Sequence, residues 1–311
     1  MDFINRVNPK LRDTLMLNPV LQLPDDLAEF RQIPTPPTGN SELVRITERF
    51  ISGGEGQEML IKIYEPLHRD ENKLSAVLWS HGGGYVLGHP NNEDNLCERF
   101  VLEANCVVIS PDYRLAPEHP YPAALEDCYS ALVWMTNSAE ELNIDLTRVA
   151  IGGGSAGGGL TAALALLARD RGGPAICFQM PLYPMIDDRN ITPSSYEITD
   201  KHAVWYRANN LAAWQMYLGS HANEEISPYA APTRAKNLAG LPPTYTCVGQ
   251  LDPFRDETID YVVRLAQAGI EVEFHQYPGC FHAFEHIVPE AEISQRTKNA
   301  YISALARALN K

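Results

Sequence analysis

The sequence predicts an α/β fold built on one mostly parallel sheet with helices on both faces. Three observations carry this. Short, uninterrupted apolar runs of the kind that form fully buried strands alternate with helical patterns along most of the chain. Two of these runs end in glycine-rich turns. The length, 311 residues, suits one large α/β domain with a sizeable core.

Taken in order, residues 1–45 hold two weak helical patterns separated by Asn18-Pro19 and Pro24, closed by the breaker Pro-Thr-Pro-Pro-Thr-Gly at 34–39. This is a small element ahead of the main fold, either a loose extension or part of a lid. Residues 45–51 and 59–64 flank Gly53-Gly54 as an antiparallel pair. Buried-type strands are then expected at 75–80, 106–110, 148–151, 175–182, 244–248 and 271–277, with helices at 92–104, 123–137, 160–169, 255–268 and 289–309. Residues 185–231 break the rhythm with a helical insertion carrying Trp205, Tyr206, Trp214 and Tyr217. Ligands of open α/β sheets bind beyond the carboxyl ends of the strands, where such an insertion can roof a site. Its aromatics could equally pack a small core of their own.

Composition narrows the function classes. With 45% hydrophobic and 21% charged residues, the chain is of ordinary globular type. The formal charge of −14 disfavours nucleic acid and anionic membranes as partners and leaves a small-molecule substrate. Charged residues interrupt the first 30 positions, so no signal-peptide core is present and a cytoplasmic location is expected. Six scattered cysteines without a C-x-x-C pair read as buried thiols.

The chemistry centres on residues 150–161, Ala-Ile-Gly-Gly-Gly-Ser-Ala-Gly-Gly-Gly-Leu-Thr. Gly153, Ser155 and Gly157 fit G-x-S-x-G, the strand-to-helix turn that exposes a nucleophilic serine. Gly152, Gly154 and Gly157 fit the dinucleotide fingerprint G-x-G-x-x-G equally well, and a glycine turn with no chemistry is a third reading. A nucleophilic serine needs oxyanion donors, a base and a group to orient the base. The strand at 75–80 runs into His81-Gly82-Gly83-Gly84-Tyr85, a loop whose backbone can supply donors; Gly83 and Gly84 are assigned to that role, with the N–H of Ala156. Asp252, directly beyond the strand at 244–248, is the orienting acid, while Asp256 and Glu257 read as first-turn helix charges. After Asp252 come His275, His282 and His286. His275 lies within a strand, so His282, on the loop after Pro278-Gly279, is the base. His282-Ala-Phe-Glu285-His286 also matches the zinc pattern H-x-x-E-H, which would need a third ligand and both histidines on one helical face. A dinucleotide site wants an acid about 20 residues past the glycines. Only Arg-Gly-Gly-Pro stands near there, and Asp187 comes 35 residues after Gly152.

With His81-Gly-Gly-Gly84, Asp112-Tyr-Arg-Leu-Ala-Pro-Glu-His119, Gly153-x-Ser155-Ala-Gly-Gly158, Asp252-Pro-x-Arg-Asp-Glu257 and His282-Ala-Phe284 in this order, the chain resembles the bacterial hormone-sensitive-lipase-like esterases of the α/β-hydrolase fold. The resemblance implies a cofactor-free, metal-free carboxylesterase for short acyl esters, with Ser155, Asp252 and His282 as triad. It also implies a helical cap formed by residues 1–45 and 185–231 over a catalytic domain at 46–311, and a homodimer as one assembly open to the chain. Tyr85, Trp205 and Trp214 are the candidates for contacting substrate. Two departures stand out: Gly154 replaces the Asp or Thr usual before the nucleophile, which predicts a looser elbow, and Ala283 replaces the glycine of His-Gly-Phe, a change expected to be harmless. A catalytically silent receptor, like the plant hormone receptor of this fold that has lost its histidine, and an amidase using the same triad are the alternatives; the presence of His282 favours an enzyme.

Overall fold

The computed structural model describes residues 2–69 and 71–310; positions 1 and 311, outer bounds of the expected segments, lie outside the described residues. Among the described residues one sheet forms, in the order β1-β2-β4-β3-β5-β6-β7-β8. Its strands are β1 (Val44–Ser52), β2 (Glu58–Pro66), β3 (Leu74–Ser80), β4 (Cys106–Pro111), β5 (Ile144–Gly154), β6 (Phe178–Leu182), β7 (Thr244–Leu251) and β8 (Val272–Phe281). β1 and β2 pair antiparallel, as does β2 with β4, and every pairing from β4 to β8 is parallel.

The parallel strands are apolar throughout because both faces are covered. Along β3, Ala76 and Leu78 point into one core while Val77 and Trp79 point into the other, as strand alternation requires. The first core packs against α5 (Ala123–Asn137), α6 (Ala156–Arg171) and α9 (Arg255–Gln267); the second packs against α4 (Asp94–Ala104) and α11 (Glu292–Leu309). On α11 the buried positions Tyr301, Ile302, Leu305 and Leu309 follow helical spacing. Of the cysteines, Cys97, Cys106, Cys128, Cys247 and Cys280 are buried, and Cys177 is half-buried.

The departures from expectation have local causes. The N-terminal segment forms three helices, α1 (Phe3–Arg6), α2 (Pro9–Leu17) and α3 (Leu27–Gln32), where two patterns were expected. They are tied down: Asn8 N–H donates to the Gly279 carbonyl, and the Arg31 guanidinium reaches the carbonyls of Val86 and Ala116. The helix expected from residue 160 begins at Ala156, so Gly157, Gly158 and Gly159 are helical. Glycine is a poor helix former, but here close packing overrides propensity: a Cβ on Gly157 would strike the carbonyls of Ser80 and His81, and one on Gly158 would lie 2.8 Å from that of Leu182. β5 starts earlier than its apolar run, at Ile144, and β8 runs on through Pro278-Gly279 to Phe281. The insertion is helical, with α7 (Pro193–Glu197) and α8 (Arg207–Leu218). The last short helix is α10 (Phe284–Ile287). Among the described residues no helix is long and apolar enough to cross a membrane.

Candidate active site

Ser155 sits where β5, flanked by β3 and β6 in the sheet, turns into α6, with backbone φ +57° and ψ −118°. This is a sparsely populated conformation for a residue with a side chain, costing on the order of 1–3 kcal/mol and tolerated only where the surroundings dictate it. They do so here: its N–H donates to the Leu182 carbonyl, while its own carbonyl accepts from Gly159 and Met185. The serine is thereby fixed at the carboxyl edge of the sheet.

The structure brings Ser155, His282 and Asp252 together from three separate strand ends. His282 Nε2 lies 2.9 Å from Ser155 Oγ, and His282 Nδ1 lies 2.8 Å from Asp252 Oδ2. The other carboxylate oxygen, Oδ1, accepts the Phe254 N–H at 2.8 Å, which fixes the plane of the Asp252 carboxylate. Asp252 is fully buried, and His282 and Ser155 are 4% and 7% exposed. The imidazole is held between the ring edges and faces of Tyr183 and Phe254, at 5.2 and 5.1 Å. Such a relay can take the hydroxyl proton as the oxygen attacks an electrophile and return it to a leaving group. Both ring nitrogens of His282 are engaged, so it has none to offer a metal in the manner of H-x-x-E-H. His286 instead faces Glu285, at 3.7 Å. His275 lies on β8 beside Glu273 and away from the cleft.

The glycine loop after β3 passes over the serine. A Cβ on Gly82 would lie 3.6 Å from that of Ser155, and Gly83 and Gly84 have φ of +121° and +62°. Gly83, Gly84 and Ser155 line one cleft, and Ala156 is the first residue of α6, where N–H groups lack intrahelical acceptors. His81 anchors the loop from below. Its buried ring stacks on Tyr113 with centroids 4.1 Å apart, Nδ1 lies 2.7 Å from the Gly82 carbonyl, and Tyr113 Oη donates to the His81 carbonyl. Burial lowers its pKa to about 4. The ring is neutral at pH 7, and because the Gly82 carbonyl can only accept, Nδ1 carries the proton and donates to it, which makes His81 a scaffold.

The cleft has a volume of about 420 Å³. The main fold, the N-terminal segment (Pro19, Leu21, Phe30) and the insertion (Val204, Trp205) all contribute walls. The N-terminal segment and the insertion also bind each other, through Leu23 N–H to Asn209 Oδ1 and Asn209 Nδ2 to the Leu21 carbonyl. Val204, at φ +64° beneath a Trp205 N–H to Ala203 carbonyl bond, is held in a conformation rare for a β-branched residue. That turn delivers Trp205 to the cleft, against Gly84. Tyr85 and Trp214, the other candidates for substrate contact, lie behind the site: Tyr85 stacks on Tyr217 at 3.9 Å, donates to the Met185 carbonyl, and meets Trp214 edge-on, all fully or nearly fully buried. A larger cavity, about 830 Å³, opens at the amino ends of β5 to β8 and contains none of these residues.

Two residues near the site, Tyr183 and Glu93, were not singled out in the sequence, and others were named there in different roles. Tyr183, at the end of β6, lies over Gly154: a Cβ there would be 3.0 Å from its hydroxyl. Tyr183 Oη donates at 2.7 Å to the buried carboxylate of Glu285, on α10 just beyond His282. The space beside Gly154, where the sequence suggested a missing side-chain contact, is thus filled by Tyr183. Glu285 was visible only as a letter of H-x-x-E-H. Glu257, expected as a first-turn charge, is fully buried and accepts the N–H groups of Ile186 and Asp187, with burial pushing its pKa well up. Asp256 likewise accepts from Ser194 N–H. Glu93, on the cleft wall, had no sequence signal. Ala283 adopts φ +53°, at which glycine is free of strain and alanine pays about 1–2 kcal/mol, so the exchange is not cost-free.

A family described as having the alpha/beta hydrolase fold matches residues 77–286. Among characterised proteins, the chain is 38% identical to esterase LipI of Mycobacterium tuberculosis over 82% of its own length and 79% of that protein's. It is 34% identical to carboxylesterase NlhH of the same species over 91% and 88%. Among solved structures, a bacterial heroin esterase superposes with a TM-score of 0.90 at 36% identity, covering 99% of both chains. Esterase LipW from Mycobacterium marinum gives 0.87 at 33%, covering 98% and 96%.

Proposed function

The chain belongs to an alpha/beta-hydrolase-fold esterase family and is a serine hydrolase of carboxylic esters; from that premise we propose that Ser155, His282 and Asp252 are its catalytic triad and that it acts on small esters with short acyl chains. The observation that carries the assignment is the unbroken chain of hydrogen bonds from Ser155 Oγ through His282 to buried Asp252, opening on a cleft.

In the proposed mechanism Ser155 Oγ attacks the ester carbonyl while His282 Nε2 takes its proton. The tetrahedral oxyanion is held by the N–H groups of Gly83, Gly84 and Ala156. Each such donor typically contributes about 2.7–4 kcal/mol to the transition state. His282 then protonates the leaving alcohol, and water, deprotonated by the same imidazole, releases the acid from the acyl-enzyme. Asp252 holds the Nδ1–H tautomer and stabilises the imidazolium that forms in both steps.

The N-terminal segment and the insertion act together as the cap, which their contribution to the cleft walls and their mutual hydrogen bonds support. The order of the glycine loop, elbow, acid and base supports placement in the hormone-sensitive-lipase-like branch. A cavity of this size lies near the lower end for small-molecule sites, in keeping with acetyl to butyryl groups.

A fluorophosphonate should label Ser155, read by mass spectrometry, and p-nitrophenyl esters should show highest kcat/KM at two to four acyl carbons. Folded protein that stays unlabelled at Ser155 sinks the mechanism. A preference for chains of ten carbons or more sinks the substrate class.

A further inference from the structure

We propose that the cleft contains a cation subsite in which Glu93 receives an ammonium group carried by the ester, so that the enzyme prefers esters of quaternary or tertiary amino alcohols to their uncharged isosteres. The proposal deepens the carboxylesterase reading and rests on it.

Among the described residues that line the cleft, Glu93 supplies the only carboxylate. Phe30, Trp79, Tyr183 and Trp205 supply aromatic walls to the same cavity, which also holds Ser155. An aromatic enclosure with one carboxylate is the surface chemistry that attracts quaternary ammonium: the ring faces are electronegative, and the full charge adds a longer-range term.

Glu93 also has no structural task that accounts for its charge. Its neighbours do. Asp94 is fully buried and accepts from Lys62, Tyr64 and the N–H groups of Thr38 and Gly39. Glu98 accepts the N–H groups of Asn40 and Ser41. By contrast Glu93 accepts only from Trp79 Nε1, at 3.2 Å, and among the described residues no cation pairs with it. Lys298, half-buried on α11, lies within its field without forming an ion pair. At the N-cap position of α4, where its side chain makes no capping bond, a carboxylate has a modest favourable interaction with the helix dipole, and Asp94 in the first turn obtains the same without lining the catalytic cavity. The Trp79 bond holds one lone pair and orients the group, which leaves its remaining acceptor capacity for a ligand.

The reaction is the one already described: the ester C–O bond breaks, Ser155 Oγ–acyl and then water–acyl bonds form, and the ammonium alcohol departs with the proton from His282. Glu93 contributes binding and orientation alone.

The test compares acetylthiocholine with its uncharged isostere S-(3,3-dimethylbutyl) thioacetate, following thiol release at low ionic strength. The native enzyme should show a kcat/KM ratio of about tenfold in favour of the cation, equivalent to about 1.4 kcal/mol. In Glu93→Gln the ratio should collapse towards one, and any general loss of activity cancels in it. Glu140→Gln, at an exposed acid paired with Lys73 outside the cleft, should keep the ratio and so separates the subsite from steering by the net charge. Tetramethylammonium should inhibit the native enzyme competitively against the neutral thioester, which needs no variant to fold. A ratio near one in the native enzyme, a ratio retained by folded Glu93→Gln, or no inhibition by tetramethylammonium overturns the subsite while hydrolysis of the neutral thioester leaves the esterase reading standing. Failure to hydrolyse either thioester or p-nitrophenyl butyrate overturns both.

Discussion

Replacing Gly83 by alanine puts the proposed oxyanion loop to its sharpest test. At φ +121° an L-residue is strained by about 1–3 kcal/mol in any surroundings. Here the new Cβ would also overlap the carbonyl group of Leu87 and lie 3.0 Å from the Gly88 nitrogen, all backbone atoms that cannot rotate aside. The loop is held on its far side by the Val86 and Leu87 N–H bonds to the Gly83 carbonyl and by the His81 stack. Relief therefore has to come from moving the peptide that carries the donor. An oxyanion donor works only within about 2.7–3.1 Å of the developing charge, so even a small shift removes it. The expected loss is about 10²- to 10³-fold in kcat on p-nitrophenyl butyrate, with KM changed far less. Gly56→Ala is the control: it shares a positive φ, +84°, but nothing lies within 4 Å of the added Cβ, and it is remote from the cleft. It should lose about 1 kcal/mol of stability and keep its kcat. A folded Gly83→Ala enzyme with kcat within threefold of native would refute the assignment of that N–H.

Two further outcomes are expected. Asp252→Asn retains the shape of the contact but removes the carboxylate that fixes the Nδ1–H tautomer; kcat should fall about 10⁴-fold with the fold intact by circular dichroism, and a loss below tenfold would contradict the role given to Asp252. His81 has a folded pKa near 4 against an unfolded value near 6.5. Between these values the unfolded chain binds the extra proton, so stability falls as pH drops from 6.5 to 4 and levels off below; the interval corresponds to on the order of 3 kcal/mol. Urea titrations across this range should show that loss in the native protein and a flatter profile in His81→Phe, and parallel profiles would refute the scaffold's contribution.

The alternation of apolar runs with helical patterns was enough to predict the sheet, because a parallel sheet must be covered on both faces and its strands then admit little besides apolar residues. The motifs read from the sequence were those in which glycine or a strand end imposes backbone geometry locally: the turn at Ser155, the loop at Gly82 to Gly84, and the positions of Asp252 and His282 just beyond strands. Their hydrogen-bonded distances belong to the tertiary structure, since the three side chains are separated by up to 127 positions. The same is true of every residue whose task depends on a distant neighbour. Gly154 read as a missing contact and is a packed position, because Tyr183 from β6 occupies the space above it. Tyr85 and Trp214 read as cleft residues and lie behind it, packed with Tyr217 in a buried aromatic cluster in which Tyr85 stacks on Tyr217 and Trp214 meets both rings edge-on. Glu257 read as a helix charge and is a buried acceptor, because the chain leaving β6 brings two N–H groups to it. Local backbone chemistry was therefore written in the sequence, while the partner of each buried polar group, and with it the walls of the cleft around Glu93, was decided only when the layers came together.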